Sequence, residues 1–316
     1  MQAKKASRNK TIVLEEKEKL YYSAMAIKPN AGIMNTDMIK NKLVQGDFFE
    51  AANYLPPAFV DLLIVDPPYN LNKNYGGEKF NKKSQNDYRS YTVAWLDKVL
   101  PLLKPKAQIY VCCDWQSGLI IGEVLQQYFY LQNRITWQRE KGRGAKKNWK
   151  NAMEDIYFCT RTKDHYFNAE AVKQRRQVIA PYKINGEPKD WEETALGNFR
   201  NTYAANFWDD ISIPYWSMPE NTDHPTQKPE KLLAKLILAS SQTGDFVFDP
   251  FMGSGTTAVV AKKLGRDFGG VELNPNYIAV AMRRLEMADA DKSIQGYADG
   301  VFWERNTARL QNKYKK

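Results

Sequence analysis

Residues 61–70 read Asp-Leu-Leu-Ile-Val-Asp-Pro-Pro-Tyr-Asn, an apolar run from Leu62 to Val65 cut off by an acid and two prolines. A strand apolar at consecutive rather than alternate positions is buried on both faces, as in parallel sheets. The prolines, with fixed φ and no N–H, end it. Working outward, the same texture recurs in KLVQGD (42–47), AQIYVCC (107–113), DFVFDP (245–250) and DFGGVEL (267–273). Between these runs lie stretches with helical spacing. Residues 89–103 place Tyr91, Trp95, Leu96, Val99, Leu100 and Leu103 on one stripe, and 119–130, 229–241, 256–264 and 275–288 follow the same rule. Strand–helix alternation at both ends of the chain predicts one α/β domain, a mostly parallel sheet built from two sequence-distant halves. LQNRITWQ (131–138) reads as a further strand. EDIYFCT and KDHYFN read as a short antiparallel hairpin turning at Arg161-Thr162-Lys163.

Residues 169–223 lose this rhythm to scattered charges, aromatics and Gly and Pro breaks, which marks an inserted recognition segment. The division expected is an N-terminal arm (1–35), a first half of the domain (36–168), the insertion (169–223), a second half (224–290) and a C-terminal tail (291–316). The arm carries one helical candidate around Leu14–Ala26.

The 316 residues include only three cysteines and two histidines, without metal-ligand spacing, so neither a disulfide framework nor a metal site is expected. No run approaches the roughly 18 apolar residues that cross a bilayer, and the N-terminus mixes Lys with Glu and lacks an apolar signal core. A cytoplasmic protein with no membrane partner is expected. The net charge of +10 points towards a polyanion such as nucleic acid, though charge alone does not establish it.

VFDPFMGSGTT (247–257) sets Gly253 and Gly255 between a strand and a helix, where missing side chains let the backbone approach a ligand. Ser254, Thr256 and Thr257 bring hydroxyls and amides to the helix start, a place for a carboxylate or phosphate. Glu272 ends the next strand, about 20 residues on, where an acid can bind both ribose hydroxyls. The third glycine of a dinucleotide loop is absent, which disfavours NAD. With Asp249 placed to pair an ammonium, the set fits an amino acid joined to a nucleoside, the shape of S-adenosylmethionine. A purely structural turn with a solvated acid after it is the plainer alternative.

The turn Asp66-Pro67-Pro68-Tyr69 lies at the carboxyl end of its strand, the edge where open α/β sheets bind ligands. Its prolines leave carbonyls to accept, so one carboxylate and one carbonyl could hold both N–H groups of an exocyclic amine while Tyr69 offers a flat face. A turn that merely reverses the chain competes with this reading, but the glycine loop falls at the same edge of the same sheet.

The combination resembles the DNA amino-methyltransferases, specifically the N6-adenine type with Asp-Pro-Pro-Tyr, in the permuted order called the beta class. Asp66–Tyr69 is similar to the catalytic motif, Asp249–Gly255 to the cofactor loop, and His224-Pro225-Thr226-Gln227-Lys228-Pro229 to a string of that class. The resemblance spans about residues 42–287 and implies a Rossmann-like S-adenosylmethionine-dependent methyltransferase fold. By it, Asp66 and the Pro67 carbonyl orient the target amine, Pro68 shapes the turn and Tyr69 stacks on a flipped base. It assigns Asp249, Phe251, Gly253, Ser254, Gly255 and Thr256 to the methionine part, Glu272 to the ribose, Asp47 to the adenosine, and Thr226 and Lys228 to the cofactor side. Glu154 and Asp155 look like a family strand start and stay unassigned, and His224 reads as a helix-entry cap contact. A homodimer and a separately acting restriction enzyme are expectations of the same kind.

Double-stranded DNA is the expected partner. Arg139, Lys141, Arg143, Lys146, Lys147 and Lys150, against Glu140 alone, are assigned to phosphate contact, with a solvated basic face as the alternative. Arg175 and Arg176, with Tyr182, Lys189 and Trp191, are candidates for reading base edges, the aromatic residues among them fitting the core of a small subdomain equally well. Methylation of N4 of cytosine, a non-catalytic binding module, and an RNA or protein methyltransferase remain open.

Overall fold

The computed structural model describes residues 8–29, 32–75, 77–139, 146–179 and 182–304. In chain order, the elements that frame the site are helix α1 (Glu16–Ser23), strand β1 (Lys42–Gln45), helix α2 (Phe48–Ala51), strand β2 (Val60–Val65), helix α3 (Gln85–Val99), strand β3 (Leu103–Cys113) and helix α4 (Trp115–Tyr128). Then come β4 (Tyr130–Gln138), β5 (Met153–Thr160), β6 (Gln174–Gln177), β7 (Gly197–Thr202), β8 (Phe207–Trp208), α5 (Glu230–Ser240), β9 (Phe246–Asp249), α6 (Thr256–Lys263), β10 (Asp267–Glu272), α7 (Pro275–Ala290) and β11 (Val301–Trp303).

Among the described residues, eight strands form the main sheet in the order β1-β10-β9-β2-β3-β5-β4-β8. The pairs from β1 to β3 are parallel, and β5 alone runs against its two neighbours. The two-sided burial read from the sequence is realised by alternation. Leu62 and Ile64 face one core layer, under α5, α6 and α7, while Leu63 and Val65 face the other, under α3 and α4. Tyr110 and Cys112 divide from Ile109, Val111 and Cys113 in the same way.

The hairpin lies elsewhere than the sequence pattern placed it. β5 pairs with β4 and β3, and residues 163–168 form no strand. Thr160 donates to the carbonyl of Thr162 (2.7 Å) and Thr162 to that of Asp164 (2.6 Å), so hydroxyls satisfy the chain locally instead of a ladder. Phe167 then packs beside Phe158, with ring centroids 5.9 Å apart.

The insertion builds a second sheet of five strands, with Glu192–Thr194, β7, β6, β11 and Tyr297–Ala298 in that order. Strand β11 comes from the segment expected to be a tail, and pairs in parallel with β6. Nor does the N-terminal segment stand clear of the core: Leu14 and Tyr22 bury against Ala279 of α7, and the Tyr22 hydroxyl donates to Glu286 (2.6 Å). No helix among the described residues is long and apolar enough to cross a membrane.

Candidate active site

Strands β2 and β9 are neighbours in the sheet, so the segments leaving their carboxyl ends, Asp66–Tyr69 and Asp249–Gly255, emerge side by side. They share one cavity of about 310 Å³ lined by Asp66, Pro67, Pro68, Tyr69, Phe251, Gly253 and Glu272. Of the other expected cofactor residues, Asp47 and Thr226 line the same cavity. Asp249, Ser254, Thr256 and Lys228 border a smaller inner recess of about 30 Å³, which Thr226, Phe251 and Gly253 also touch. Gly255 lines neither. Its φ of +81° makes it the left-handed cap of α6, with Ala281 of α7 against its Cα hydrogen.

The glycine loop is held from both sides. Glu272 accepts the N–H of Gly253 (2.8 Å) on one oxygen and that of Asn274 (2.7 Å) on the other, and burial raises its carboxyl above the usual range. Asp249 accepts from the Thr257 hydroxyl (2.6 Å) and the Phe251 N–H (2.9 Å). Burial outweighs these bonds and pushes Asp249 up to about 7. Behind the loop, Arg284 donates to the Ser254 carbonyl (2.8 Å) and the Thr256 hydroxyl (2.9 Å) and pairs with Glu230 (3.0 Å), so Ser254 and Thr256 turn partly inward. Asp47 caps α2 through the N–H groups of Phe49 and Glu50 while still facing the cavity.

His224 is a wall of the cavity rather than only a cap. Its Nδ1 accepts the Thr226 N–H (3.3 Å), its ring meets Tyr277 edge-on at 4.4 Å, and a Cβ at Gly253 would lie 3.0 Å from its Nε2. Burial pushes it down to about 4, so it is a neutral imidazole at ordinary pH. Sequence reading also missed Phe49, Phe80 and Tyr91, which line the cavity.

Around the proline turn, Tyr88 donates to the Pro68 carbonyl (3.0 Å), and Asn70 brackets Lys83 through both its amide groups. Tyr69 donates to Asp66 Oδ1 (2.9 Å), its hydroxyl also lies 3.3 Å from Glu154 Oε2, and burial followed by these two acids pushes its pKa well up. Lys228, expected on the cofactor side, reaches over the recess to Asp66 Oδ2 (2.6 Å) and the Tyr69 hydroxyl (3.1 Å).

The basic residues divide. Arg139 is held against the strand that carries Glu154: its guanidinium pairs with that buried acid and lies 5.9 Å from the Trp137 ring, which draws it away from a free phosphate-binding role. Lys146, Lys147 and Lys150 are exposed as expected, and Lys141 and Arg143 lie outside the described residues. Arg175 points into the small sheet, paired with Glu192 (2.9 Å) and set over Phe199 and Trp303, so it serves that subdomain's core instead of a base edge. Arg176, on the other face of the strand, is half-buried beside Gln174 and Glu304. Trp191 is buried and Tyr182 exposed, so the aromatics of the insertion serve both as core and as surface.

Residues 60–283 match the N6/N4 DNA methylase family. The chain belongs to that family. Among the curated methylases similar to it, the type II methyltransferase M.HpaI of Haemophilus parainfluenzae is 33% identical over 78% of this chain and 74% of its own. The DNA adenine methyltransferase YhdJ of Escherichia coli (strain K12) is 33% identical over 78% and 83%. Two solved structures share the fold. The M1.HpyAVI–SAM complex has a TM-score of 0.53 at 23% identity, covering 77% of this chain and 98% of that one. The cytosine-N4-specific PvuII DNA methyltransferase has a TM-score of 0.55 at 17% identity, covering 79% and 90%. S-adenosylmethionine is the methyl donor of this DNA methylase family, and the cavity suits it. Gly253 and Glu272 line the cavity, Asp249 borders its inner recess, and a Cβ at Gly253 would close on His224, 3.0 Å from its Nε2.

Proposed function

We propose that this DNA methylase transfers a methyl group to the N6 amino group of adenine in duplex DNA, with the target base turned out of the stack into the cavity. The observation that carries the reading is the meeting of Asp66–Tyr69 with Gly253 and Glu272 in one cavity. Asp at the head of the proline turn supports adenine over cytosine, as does the likeness to a DNA adenine methyltransferase. Asp47, Thr226, Asp249, Phe251, Gly253 and Glu272 would hold S-adenosylmethionine, which when bound supplies an electrophilic methyl on a sulfonium.

The chain's own task is positioning. Asp66 and the Pro67 carbonyl accept the two N–H groups of the amine, turning its lone pair out of conjugation and towards the glycine loop. As the amine takes up the methyl group, one amine proton leaves to solvent. Phe49, Phe80 and Tyr91 give the extruded base an apolar wall, and stacking of about 1–3 kcal/mol per base offsets part of the unstacking cost. Lys146, Lys147 and Lys150 supply phosphate contacts.

The test is to methylate duplex DNA, digest it and identify the modified nucleoside, with Asp66→Ala in parallel. N6-methyladenine in the wild-type digest and a loss of roughly 10²–10³ in turnover for the variant are expected, the scale of removing one oriented transition-state partner. N4-methylcytosine alone would overturn the adenine reading, and unchanged turnover would overturn the role of Asp66.

A further inference from the structure

Two carboxylates from sequence-distant strands converge at the proline turn. Asp66 follows β2, Glu154 sits near the start of β5, and both lie within reach of the Tyr69 hydroxyl, at 2.9 and 3.3 Å. The Glu154 side chain is only 5% exposed and that of Asp66 21%. Two acids this close in a partly buried wall repel one another, and without a cation between them they would share one proton. Lys228 is that cation. Its Nζ is 2.6 Å from Asp66 and 3.5 Å from Glu154, and its side chain is only 9% exposed. Burial works against the ammonium, but Asp66 and Glu154 outweigh it and raise Lys228 above its ordinary value, so it stays charged.

We infer that Lys228 is a positioning residue for methyl transfer, acting through Asp66 rather than on the cofactor: its ammonium offsets the repulsion between the Asp66 and Glu154 carboxyl groups and holds Asp66 as an acceptor for the target amine. This rests on the reading of Asp66 given above. The other groups facing the pair are Arg139 on Glu154, Lys73, His224, Cys112, Cys113 and Asp249. Of these, Arg139 and Lys73 are the other cations. Arg139 is bound to the far oxygen of Glu154, and Lys73 is pushed down by burial and by Lys228 and Arg139.

The sign of the effect follows. In Lys228→Met, Asp66 would ionise only at higher pH, so activity lost near neutrality returns as pH rises. Stability moves the other way. Two acids protonated more readily in the folded state than in the unfolded chain leave the fold progressively less stable as pH rises through their folded titration. A shared deficit that shrinks with pH in turnover and grows with pH in unfolding is not what a merely structural lysine gives.

The experiment uses the full chain as wild type, Lys228→Met, Lys228→Arg and Lys228→Met/Glu154→Gln. It measures kcat on duplex DNA from pH 6 to 9.5, the midpoint of urea unfolding over the same range, and S-adenosylmethionine affinity by calorimetry. For Lys228→Met we expect the acid limb of kcat moved up by about one to two pH units, a deficit largest at pH 6 and at most roughly ten- to a hundredfold there, and cofactor affinity within about threefold. Lys228→Arg should recover most of the turnover, and the double variant should bring the acid limb back down. A cofactor affinity that falls with kcat unchanged would overturn the proposal, as would a kcat deficit equal at every pH or a double variant no better than the single. The nucleoside made by the wild type is read in the same assay, so N4-methylcytosine would sink the adenine reading while leaving the test of Lys228 intact.

Discussion

Gly253 and Gly255 stand two residues apart in one loop, both with positive φ, at +55° and +81°, yet an added methyl group should do different things at each. Adopting the left-handed conformation costs a non-glycine residue roughly 1–2 kcal/mol at either position. At Gly255 the new Cβ would also lie 2.5 Å from the Cβ and 3.0 Å from the Cα of Ala281, and these belong to α7, whose backbone cannot give without moving the helix. Overpacking of this kind adds roughly 1–3 kcal/mol, so Gly255→Ala should lose about 2–5 kcal/mol in all. That is a large part of the roughly 5–15 kcal/mol that holds a typical fold. At Gly253 the nearest atom is His224 Nε2 at 3.0 Å, the edge of a side chain that can shift by a few tenths of an ångström, but only at the expense of the cavity it lines. Gly253→Ala should therefore lose only about 1–2 kcal/mol of stability while weakening S-adenosylmethionine roughly tenfold or more. Urea unfolding read by tryptophan fluorescence, with calorimetric titration of the cofactor, separates the two. Equal unfolding losses for both variants, or a Gly255→Ala protein within about 0.5 kcal/mol of wild type, would refute the assignment of one glycine to packing and the other to the ligand.

Three further outcomes follow from the same geometry. Because burial raises Asp249 to about 7, cofactor affinity should fall as pH drops from 8 to 6 and the carboxylate that would pair the ammonium gains a proton; the same raised value means Asp249 favours the fold at low pH and costs stability as pH climbs through about 7. Asp249→Asn should flatten the affinity profile in calorimetry, and a slope as steep as wild type would exclude Asp249 as its source. Arg284→Met should lose roughly 3–5 kcal/mol in urea unfolding, since it strips buried Glu230 of one of its two cations and leaves the Ser254 carbonyl without its donor; a loss below about 1 kcal/mol would count against the clamp on the loop. Trp149 is 97% exposed among Lys146, Lys147 and Lys150, and Trp149→Ala should weaken duplex binding by about 1–3 kcal/mol in anisotropy titrations as its indole stacking on DNA is lost, whereas an unchanged affinity would exclude that stacking.

The meeting of the two loops at one sheet edge was legible because each part was local. A strand, a proline turn and a glycine loop announce themselves within ten residues, and the edge they share follows from parallel pairing. What escaped was set by long-range packing. Val301–Trp303 carries no signal of its own that it will pair with Gln174–Gln177, more than a hundred residues earlier. Lys228 stands in the string before the second half of the domain, but its long stem carries the ammonium back to a turn 162 residues away, which no spacing rule anticipates. Arg175 is a different kind of miss, since a usable signal was present. Consecutive residues of a strand face opposite ways, so in Gln-Arg-Arg-Gln one arginine had to turn inward, and it is the one over Phe199 and Trp303. The rings of Phe49, Phe80 and Tyr91 come from three separate elements, and only the tertiary arrangement turns them towards a common space.

What the reaction requires of the fold leaves the chain order of its two halves free. Donor and acceptor must meet at one edge, and the sheet achieves this by pairing β9 directly with β2, Val247 opposite Leu62 and Phe248 opposite Leu63. Asp249 then lies level with Ile64, and Asp66 is two residues further along, a reach of about 7 Å at the rise of a strand. Nothing in that register depends on which strand is made first, so the order of the two halves in the chain is free while the register is not. A slip of one residue in the β2–β9 pairing would exchange Leu62 and Ile64 with Leu63 and Val65 between two core layers with different neighbours, at a cost in packing at all four buried positions. The alignment of the acceptor turn with the glycine loop is thus enforced by the hydrophobic core beneath them, independently of any bond the two segments make to each other.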